Sequence, residues 1–363
     1  MSKLFEPVTV GTLRLRNRTV MAPMTRRASP GGVPGEDVRA YYLRRARGGV
    51  GMVISEGLAI DHPAAIHHSA VPDIHSAEAL AKWRTIAAEV KAAGAAFVAQ
   101  LWHTGGARTK YEGVVNPQVP SISASGVYFP GKPYGEPASE SAIESAVLSY
   151  GRAARAAMGA GCDGINIHGA HGYLIDSFFW RETNRRTDGY GFAQRTRFAA
   201  EVIAECRRQT SPDFPIMLRF SQFKEQAYEA RLADTPAELE ALLTPLVDAG
   251  VDIFDCSTRR FWLPEFAGSD LTLAGWTRKL AGVATMAVGS VGLDNDVISS
   301  QHQGLSSGVA SLATLEALLE RGDFDLVGIG RALISDPEWV TKVEEGRLGE
   351  LKGFDIGDLA TLV

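Results

Sequence analysis

Short runs of apolar residues alternate with amphipathic segments along most of the chain. We identify eight apolar runs that are typical of buried strands. They are TVMAPM from Thr19, VGMVISE from Val50, AAFVAQLW from Ala95, GINIH from Gly164, PIMLRF from Pro215, DIFDCS from Asp252, ATMAVGS from Ala284 and DLVGIG from Asp325. Helical periodicity is clearest over residues 76–93, 140–161, 194–208, 236–250 and 312–321. Such alternation indicates a parallel sheet with helical crossovers.

The number of strands favours a barrel. Eight parallel strands close a (β/α)8 barrel, so we predict an α/β fold of the TIM-barrel type, in a single domain over residues 1–363. The alternative is a doubly wound sheet, which usually has glycines spaced as GxGxxG after its first strand. The first strand here leads into MTRRASPGG, which lacks that spacing.

Three segments fall outside the repeat. FEPVTVGTLRLRN from Phe5 alternates around a central glycine, which predicts an N-terminal β-hairpin that closes the bottom of the barrel. NPQVPSISASGVYFPGKPYGEPAS from Asn116 is too long for a bare connection, so we predict a cap inserted after strand three. SSQHQGLSSGVAS from Ser299 is interpreted as a polar surface insertion.

Composition narrows the class of protein. Hydrophobic residues make up 45% and charged residues 22%, as in globular enzymes, and a net charge of −5 argues against a nucleic-acid partner. The three cysteines form no CxxC pair, which argues against thiolate zinc and iron–sulfur sites. No signal-like segment or run of roughly 18 apolar residues is present, so we expect a cytoplasmic protein without membrane contacts.

Polar residues gather where the strands of the predicted barrel end, which is where barrel enzymes place their active sites. His168, His171 and Tyr173 follow strand four within six residues. Gln100 and Trp102 share one face of strand three, and Arg219 lies near the end of strand five. Glutamine and arginine inside a barrel are costly to bury unless a ligand or another residue pairs with them.

The turns after strands seven and eight resemble the phosphate site of many barrels. They contain Gly289 and Ser290 in GSVG, and Gly330 and Arg331 in GIGR. Backbone amides and one arginine would hold a phosphate dianion there. A flat heterocycle that carries a phosphate would use this site together with the polar residues of strands three to five.

Six motifs in this chain resemble the old yellow enzyme family of FMN-dependent ene-reductases, the NADH:flavin oxidoreductases. They are NRTVMAPMTR from Asn17, SEG from Ser55, AQLWHTGG from Ala99, GINIHGAHGYLIDSFF from Gly164, NRRTDGYG from Asn184 and GIGRALISDPEW from Gly328. The motifs occur in family order over residues 4–340. The resemblance implies FMN as the cofactor and NADH or NADPH as the hydride donor.

The resemblance also implies a role for each matching residue. Cofactor contacts are implied for Pro23, Met24, Thr25, Gly57, Gln100, His168, Arg219, Gly289, Ser290, Gly330 and Arg331. Substrate contacts are implied for Thr25, Trp102, His168, His171 and Tyr173. Glu56 matches an acidic position on strand two.

The implied reaction is hydride transfer to the C=C bond of an α,β-unsaturated carbonyl compound. His168 and His171 would stabilise negative charge on the carbonyl oxygen. Tyr173, a phenol with a reference pKa of about 10, would then give a proton to the α-carbon. Reduction of nitro compounds or quinones would use the same residues and stays open, as do a monomeric and a homo-oligomeric state.

Other interpretations of these residues remain at this point. A metal-dependent barrel hydrolase would use the histidines as ligands but needs more ligands on other strands. A flavin-binding protein without catalysis is a further alternative. His62, His67, His68 and His75 share one loop, and we interpret them as exposed polar residues, with the alternative that His67 or His68 reaches the rim of the active site. Tyr128, Phe129, Arg260 and Trp262 are possible pocket residues.

Overall fold

The barrel predicted from the apolar runs is confirmed. The computed structural model describes residues 2–110, 114–297 and 303–362. Its eight parallel barrel strands pair in chain order, and the eighth pairs with the first to close the ring. They are β1 (Thr19–Met21), β2 (Met52–Ala59), β3 (Ala96–Trp102), β4 (Gly164–His168), β5 (Ile216–Phe220), β6 (Ile253–Ser257), β7 (Ala284–Val288) and β8 (Leu326–Ile329). The first strand is shorter than the run TVMAPM, so Pro23 and Met24 belong to the loop above it.

Helices connect the strands. The longer ones are Glu36–Arg47, Ala77–Ala92, Glu140–Gly159, Arg197–Gln209, Pro236–Asp248, Leu273–Ala281 and Ala313–Arg321. Shorter helices span Leu174–Phe179, Ala332–Ser335 and Trp339–Glu344. Four begin where a hydroxyl accepts a backbone N–H of the first turn, and these caps are Ser76, Ser139, Thr235 and Thr272. Such caps fix helix starts locally, which explains why the predicted helices are recovered to within a few residues.

The N-terminal hairpin closes the bottom of the barrel, as predicted. Strands Val8–Val10 and Leu13–Leu15 pair antiparallel around Gly11, whose φ of 58° suits the turn. Val10, Leu13 and Leu15 pack against apolar residues that point into the barrel from its strands. These interior residues are Val20, Met52, Ile54, Val98, Met217, Ile253, Met286 and Leu326. The lower half of the barrel is therefore filled by hydrocarbon.

The insertion after β3 forms a small cap. It holds two short strand pairs, Ile122–Ser123 with Glu136–Pro137 and Val127–Phe129 with Lys132–Pro133. Its Tyr128 is buried against Trp102 and Tyr173, which fastens the cap to the upper end of the barrel. The cap thus adds a wall beside the strand ends.

The polar insertion predicted from Ser299 falls partly on residues 298–302, which lie outside the described part of the chain. Ser307 beyond them exchanges backbone hydrogen bonds of 2.8 Å with Phe354. Across the described ranges, no helix combines the length and apolar character needed to cross a membrane.

Candidate active site

A cavity of about 490 Å³ opens at the carboxyl ends of the barrel strands. Its size lies in the range of small-molecule and cofactor sites. Nearly all of the predicted site residues line it: Pro23, Met24, Thr25, Gln100, Trp102, His168, His171, Tyr173, Arg219, Gly289, Ser290, Gly330 and Arg331. The cavity therefore lies where the loops after β1, β7 and β8 meet the ends of β3, β4 and β5.

A chain of buried polar side chains crosses the barrel beneath this cavity. Gln100 Nε2 donates to Asn166 Oδ1 at 2.9 Å, and Asn166 Nδ2 donates to Asp255 Oδ2 at 3.0 Å. Arg219 Nη1 donates to the same carboxylate oxygen at 3.3 Å. Desolvation raises the pKa of Asp255 above its ordinary value, and Arg219 opposes that rise. Asp255 was not predicted as a site residue, although a carboxylate within the apolar run DIFDCS was a signal for it.

Some buried polar atoms in or just below the cavity lack a hydrogen-bond partner within the described ranges. Among them are Arg219 Nε and Trp102 Nε1 in its wall and Asp255 Oδ1 beneath it. A buried donor without a partner costs about 1–3 kcal/mol. A bound heterocycle with carbonyl or ring-nitrogen acceptors would satisfy the Arg219 donor, which lines the cavity.

The histidine pair is neutral. His168 ends β4, and its ring centroid lies 5.2 Å from that of His171. Burial lowers the pKa of both imidazoles well below the ordinary value, and the charge of Arg219 lowers it further. A neutral imidazole still carries one N–H group that can donate a hydrogen bond.

The backbone of His171 is held in an unusual conformation. Its φ is 65°, in the left-handed region that residues other than glycine seldom adopt. Its N–H donates to Ser221 Oγ at 3.2 Å, and its Nε2 lies 2.9 Å from Ser257 Oγ. Contacts from the loop after β5 and from the end of β6 therefore fix the imidazole over the cavity.

Tyr173 stands beside His168 at the start of the helix Leu174–Phe179. Its ring meets the His168 ring edge-on at 4.9 Å and the Trp102 ring at 5.1 Å. Its hydroxyl donates to Glu225 Oε1 at 3.0 Å. Glu225 also lines the cavity but was missed from the sequence, because the segment SQFKEQAY shows no pattern that singles it out.

A buried ion pair anchors the backbone next to these residues. Lys224 Nζ donates to Asp176 Oδ1 at 2.9 Å, and both side chains have no exposed surface. Asp176 Oδ2 also accepts the N–H of Gly172 at 2.6 Å. Burial raises the pKa of Asp176 and lowers that of Lys224, and each charge opposes the shift of the other. The pair joins the loop after β5 to the turn that carries His171 and Tyr173.

The predicted phosphate turns lie together at one side of the cavity. Arg331 donates to Ser290 Oγ at 3.2 Å and to the carbonyl oxygen of Asp296 at 3.2 Å. A Cβ on Gly289 would lie 2.4 Å from the carbonyl oxygen of Thr258, so no side chain fits there. Gly330 lines the cavity, and a Cβ there would come within 4 Å only of Met24 Sδ, at 3.7 Å, among the described residues. The glycines thus keep the backbone close to the space that a phosphate would occupy.

Two predicted residues lie behind the cavity wall. A Cβ on Gly57 would come within 2.7 Å of the Trp102 ring, so the glycine gives that ring its place. Its implied backbone contact with a flavin stays a prediction. Glu56 Oε2 accepts the backbone N–H of Arg26 at 3.0 Å and of Arg27 at 3.3 Å, and burial raises its pKa to about 7. Glu56 therefore holds the loop that follows β1.

Several weaker assignments need correction. His67 is buried and lines the cavity, so the alternative that it reaches the active site is correct and its interpretation as an exposed residue was wrong. Tyr128 and Phe129 do not line it; Tyr128 lies behind Trp102 and Tyr173. In the loop after β6, Thr258 and Arg259 line the cavity, and Arg260 and Trp262 do not.

The segment near residue 356 forms a further part of the wall that the sequence did not indicate. Phe354, Ile356 and Leu359 line the cavity. Arg26 donates to the carbonyl oxygen of Asp358 at 2.9 Å, which ties this segment to the loop after β1. Within the described ranges, no cluster of three or more histidine, cysteine, aspartate or glutamate side chains could hold a metal ion.

The sequence profile of the NADH:flavin oxidoreductase / NADH oxidase family matches residues 3–350. The chain belongs to this family. An NADH oxidase of Thermoanaerobacter brockii is 32% identical over 358 residues, which are 96% of this chain and 52% of that protein. The chain thus spans about half the length of that relative.

Other relatives match along most of their length. 12-Oxophytodienoate reductase 7 of Oryza sativa subsp. japonica is 31% identical over 93% of this chain and 87% of that enzyme. Morphinone reductase in complex with tetrahydroNAD superposes with a TM-score of 0.81 at 24% identity, over 99% of this chain and 94% of that one, which shows a shared fold. An old yellow enzyme homologue from Zymomonas mobilis superposes with a TM-score of 0.78 at 25% identity, over 98% of this chain and 96% of that one. These comparisons support the assignment of the chain to the old yellow enzyme family. They also support FMN as the cofactor and NAD(P)H as the hydride donor.

The residues of this cavity fit FMN. Within the described part of the chain, Arg219 Nε is a buried donor without a partner, and Gly289, Ser290, Gly330 and Arg331 line one side of the cavity. The donor suits the acceptor atoms of a flavin ring, and the glycine-rich turns with one arginine suit its phosphate.

Proposed function

We propose that this chain is an NAD(P)H-dependent reductase of the C=C bond in α,β-unsaturated carbonyl compounds, and that the residues predicted from the sequence carry out the reaction. One observation carries the proposal. Two neutral histidines and a tyrosine, His168, His171 and Tyr173, line one cavity with the arginine and glycines that suit FMN.

Arg219, Ser290 and Arg331 would help to hold FMN, which when bound and reduced would supply a hydride, and the other side chains would stabilise the charge that develops on the substrate. Hydride addition to the β-carbon of an enone leaves negative charge on the carbonyl oxygen. The N–H groups of His168 and His171 donate to that oxygen and stabilise the charge where it develops. Because both imidazoles are neutral, they act as hydrogen-bond donors at physiological pH without giving up a proton.

Tyr173 completes the reaction by protonation. Its hydroxyl group is protonated at neutral pH and can give a proton to the α-carbon of the enolate. Trp102 and His168 hold the ring by edge-on contacts, so the hydroxyl keeps one position at the cavity. Trp102 thereby helps to shape the part of the cavity that receives the substrate.

Anaerobic spectroscopy of the flavin tests the proposal. The purified protein should show a yellow flavin spectrum that bleaches with NADH or NADPH and returns when 2-cyclohexenone is added. Bleaching without return would contradict enone reduction, and nitro compounds and quinones would then be tested as acceptors. A colourless protein that does not bind added FMN would contradict the cofactor site.

Variants then separate the two chemical roles. His171→Ala should slow flavin reoxidation by the enone by roughly 100-fold, the usual effect of losing one such donor. Tyr173→Phe should slow the same step while NADPH still reduces the flavin at the wild-type rate. Unchanged enone turnover in Tyr173→Phe would contradict its role as proton donor.

A further inference from the structure

The serine at the end of β6 connects an arginine and a histidine of the cavity. Ser257 lines the cavity and is only 3% exposed. Its Oγ lies 3.1 Å from Arg219 Nη2 and 2.9 Å from His171 Nε2. Within the described part of the chain, these are the hydrogen bonds of this hydroxyl. None of the family motifs identified in the sequence contains Ser257.

The directions of these two hydrogen bonds follow from the chemistry of arginine. A guanidinium group has N–H donors and no acceptor, so Ser257 Oγ accepts the bond from Arg219. The hydroxyl hydrogen of Ser257 remains, and a buried donor needs an acceptor, which His171 Nε2 provides. If Nε2 carried a hydrogen, two N–H groups would point at Ser257 Oγ. The hydroxyl hydrogen would then have no acceptor among the described residues.

We propose that Ser257 is a positioning residue that fixes the tautomer of His171, with the ring hydrogen on Nδ1 and with Nε2 accepting the Ser257 hydroxyl. A neutral imidazole carries one such hydrogen, and the hydrogen bond made by one ring nitrogen determines which nitrogen carries it. The Nδ1–H group of His171 is then the donor to the carbonyl oxygen of the substrate. That role of the donor rests on the proposed enone reductase function, whereas the tautomer does not.

His168 has the opposite arrangement of ring nitrogens. Its Nδ1 accepts the backbone N–H of Ala170 at 3.4 Å, so its hydrogen lies on Nε2. In each ring, one nitrogen accepts a hydrogen bond from the protein and the other remains as an N–H donor for a ligand. The pair thus supplies two donors, as stabilisation of one carbonyl oxygen requires.

Packing holds the His171 ring in the orientation that the contact with Ser257 needs. The Phe223 ring stacks on it, with centroids 5.1 Å apart and planes inclined by 29°. The His168 ring meets it edge-on, with an angle of 81° between the planes. These contacts fix the plane of the ring, and the Ser257 hydroxyl then decides which nitrogen carries the hydrogen.

Loss of the hydroxyl should let the hydrogen of His171 move. In Ser257→Ala, Nε2 loses its donor, so a share of the molecules carries the hydrogen on Nε2 and presents Nδ1 as an acceptor. An acceptor cannot stabilise negative charge on a carbonyl oxygen. Flavin reoxidation by 2-cyclohexenone should therefore slow by roughly tenfold, which is less than the loss expected when the whole imidazole is removed.

The test records long-range ¹H–¹⁵N correlation spectra of the histidine rings in the oxidised holoenzyme at neutral pH. The chain has 8 histidines, and the His171 signals are identified by their absence in His171→Asn. Protonated and unprotonated ring nitrogens differ clearly in ¹⁵N shift, so the spectrum gives the tautomer directly. We expect Nδ1–H in the wild type and a mixture, or Nε2–H, in Ser257→Ala. A wild-type His171 with its hydrogen on Nε2 would overturn the proposal without any variant.

Two further variants serve as controls. Ser257→Thr keeps the hydroxyl and should retain the Nδ1–H form of His171. Ser221→Ala removes the hydroxyl that accepts the backbone N–H of His171 but leaves the partner of the ring nitrogen in place, so it should also retain that form. An unchanged tautomer in Ser257→Ala with a normal FMN content would overturn the role of Ser257, as would an equal change in Ser221→Ala.

The spectra also separate this inference from the proposed function. If the wild type does not react with enones, the proposed function fails, and the tautomer still decides the role of Ser257. If enones are reduced but His171 carries its hydrogen on Nε2, the proposed function stands and the inference about Ser257 fails.

Discussion

The two ends of the barrel interior are equally buried but have opposite chemistry. At the bottom, the hairpin residues Val10, Leu13 and Leu15 pack on apolar side chains of the strands. At the top, Gln100, Asn166, Arg219 and Asp255 fill the interior with polar groups that are at most 6% exposed. The bottom is filled by apolar side chains that need no ligand, whereas the top contains buried polar atoms without protein partners in the described ranges.

This difference separates stability from function. Burial of hydrocarbon stabilises the fold without a ligand. Polar groups in the interior cost free energy until something pairs with them, so their presence at one end indicates where a ligand binds. In barrels generally, the bottom serves stability and the carboxyl ends of the strands serve catalysis.

The Lys224–Asp176 pair is the main exception to this division. It is polar and lies at the upper end, but we expect it to stabilise the fold. Lys224→Met leaves Asp176 as a buried charge without its cationic partner, which should lower the free energy of unfolding by about 3–5 kcal/mol. Urea denaturation measures the loss. Replacing both residues, as Lys224→Met with Asp176→Leu, should recover much of it. Full stability of the single variant would contradict the structural role.

The bottom of the barrel should affect stability alone. Leu13→Ala removes a side chain that is 5% exposed and should cost about 3 kcal/mol through lost burial and the cavity left behind. FMN affinity and enone turnover, measured well below the melting temperature, should not change. Leu348→Ala, at a residue that is 55% exposed, is the matched control and should cost less than about 0.5 kcal/mol. A loss of FMN affinity in Leu13→Ala would contradict the view that the bottom of the barrel stabilises the fold and takes no part in ligand binding.

Glu56 should make stability depend on pH. In the folded protein its pKa is raised to about 7, whereas an unfolded glutamate ionises near its ordinary value of 4.5. The folded state therefore holds a proton that the unfolded state has lost, so this group lowers the free energy of unfolding as pH rises through that window. Between about pH 5 and about pH 8, the wild type should lose roughly 2 kcal/mol relative to Glu56→Gln. Parallel stability curves for the two proteins would contradict the raised pKa.

The smallest effect is expected at the phosphate end. Arg331→Lys keeps the charge but loses the planar group that pairs with two phosphate oxygens, so FMN affinity should fall about tenfold. Fluorescence of released FMN measures this change. The exposed Arg347, which pairs with Glu345 and Glu350, provides the control variant Arg347→Lys with unchanged affinity. Equal affinities for Arg331→Lys and wild type would place the phosphate elsewhere.

The sequence by itself determined the architecture and most of the cavity lining. The barrel followed from eight apolar runs, because strand and helix periodicities are local properties of the chain. Residues such as Gln100, Arg219 and His168 could be found because a polar side chain near the end of a buried strand is costly unless it serves a site. Gly289 and Arg331 could be found because glycine-rich turns after the last two strands have a recurrent use.

Only the tertiary structure decided how distant residues meet. Glu225 touches Tyr173 because the loop after β5 lies across the end of β4, and no local pattern encodes that contact. The same holds for Lys224 with Asp176, and for Phe354 and Ile356 in the cavity wall. The physical reason is that periodicity shows which way a side chain faces within its own element. Its partners depend on how loops pack over the barrel, where the segments are short and irregular and their positions are fixed by contacts between residues far apart in the chain.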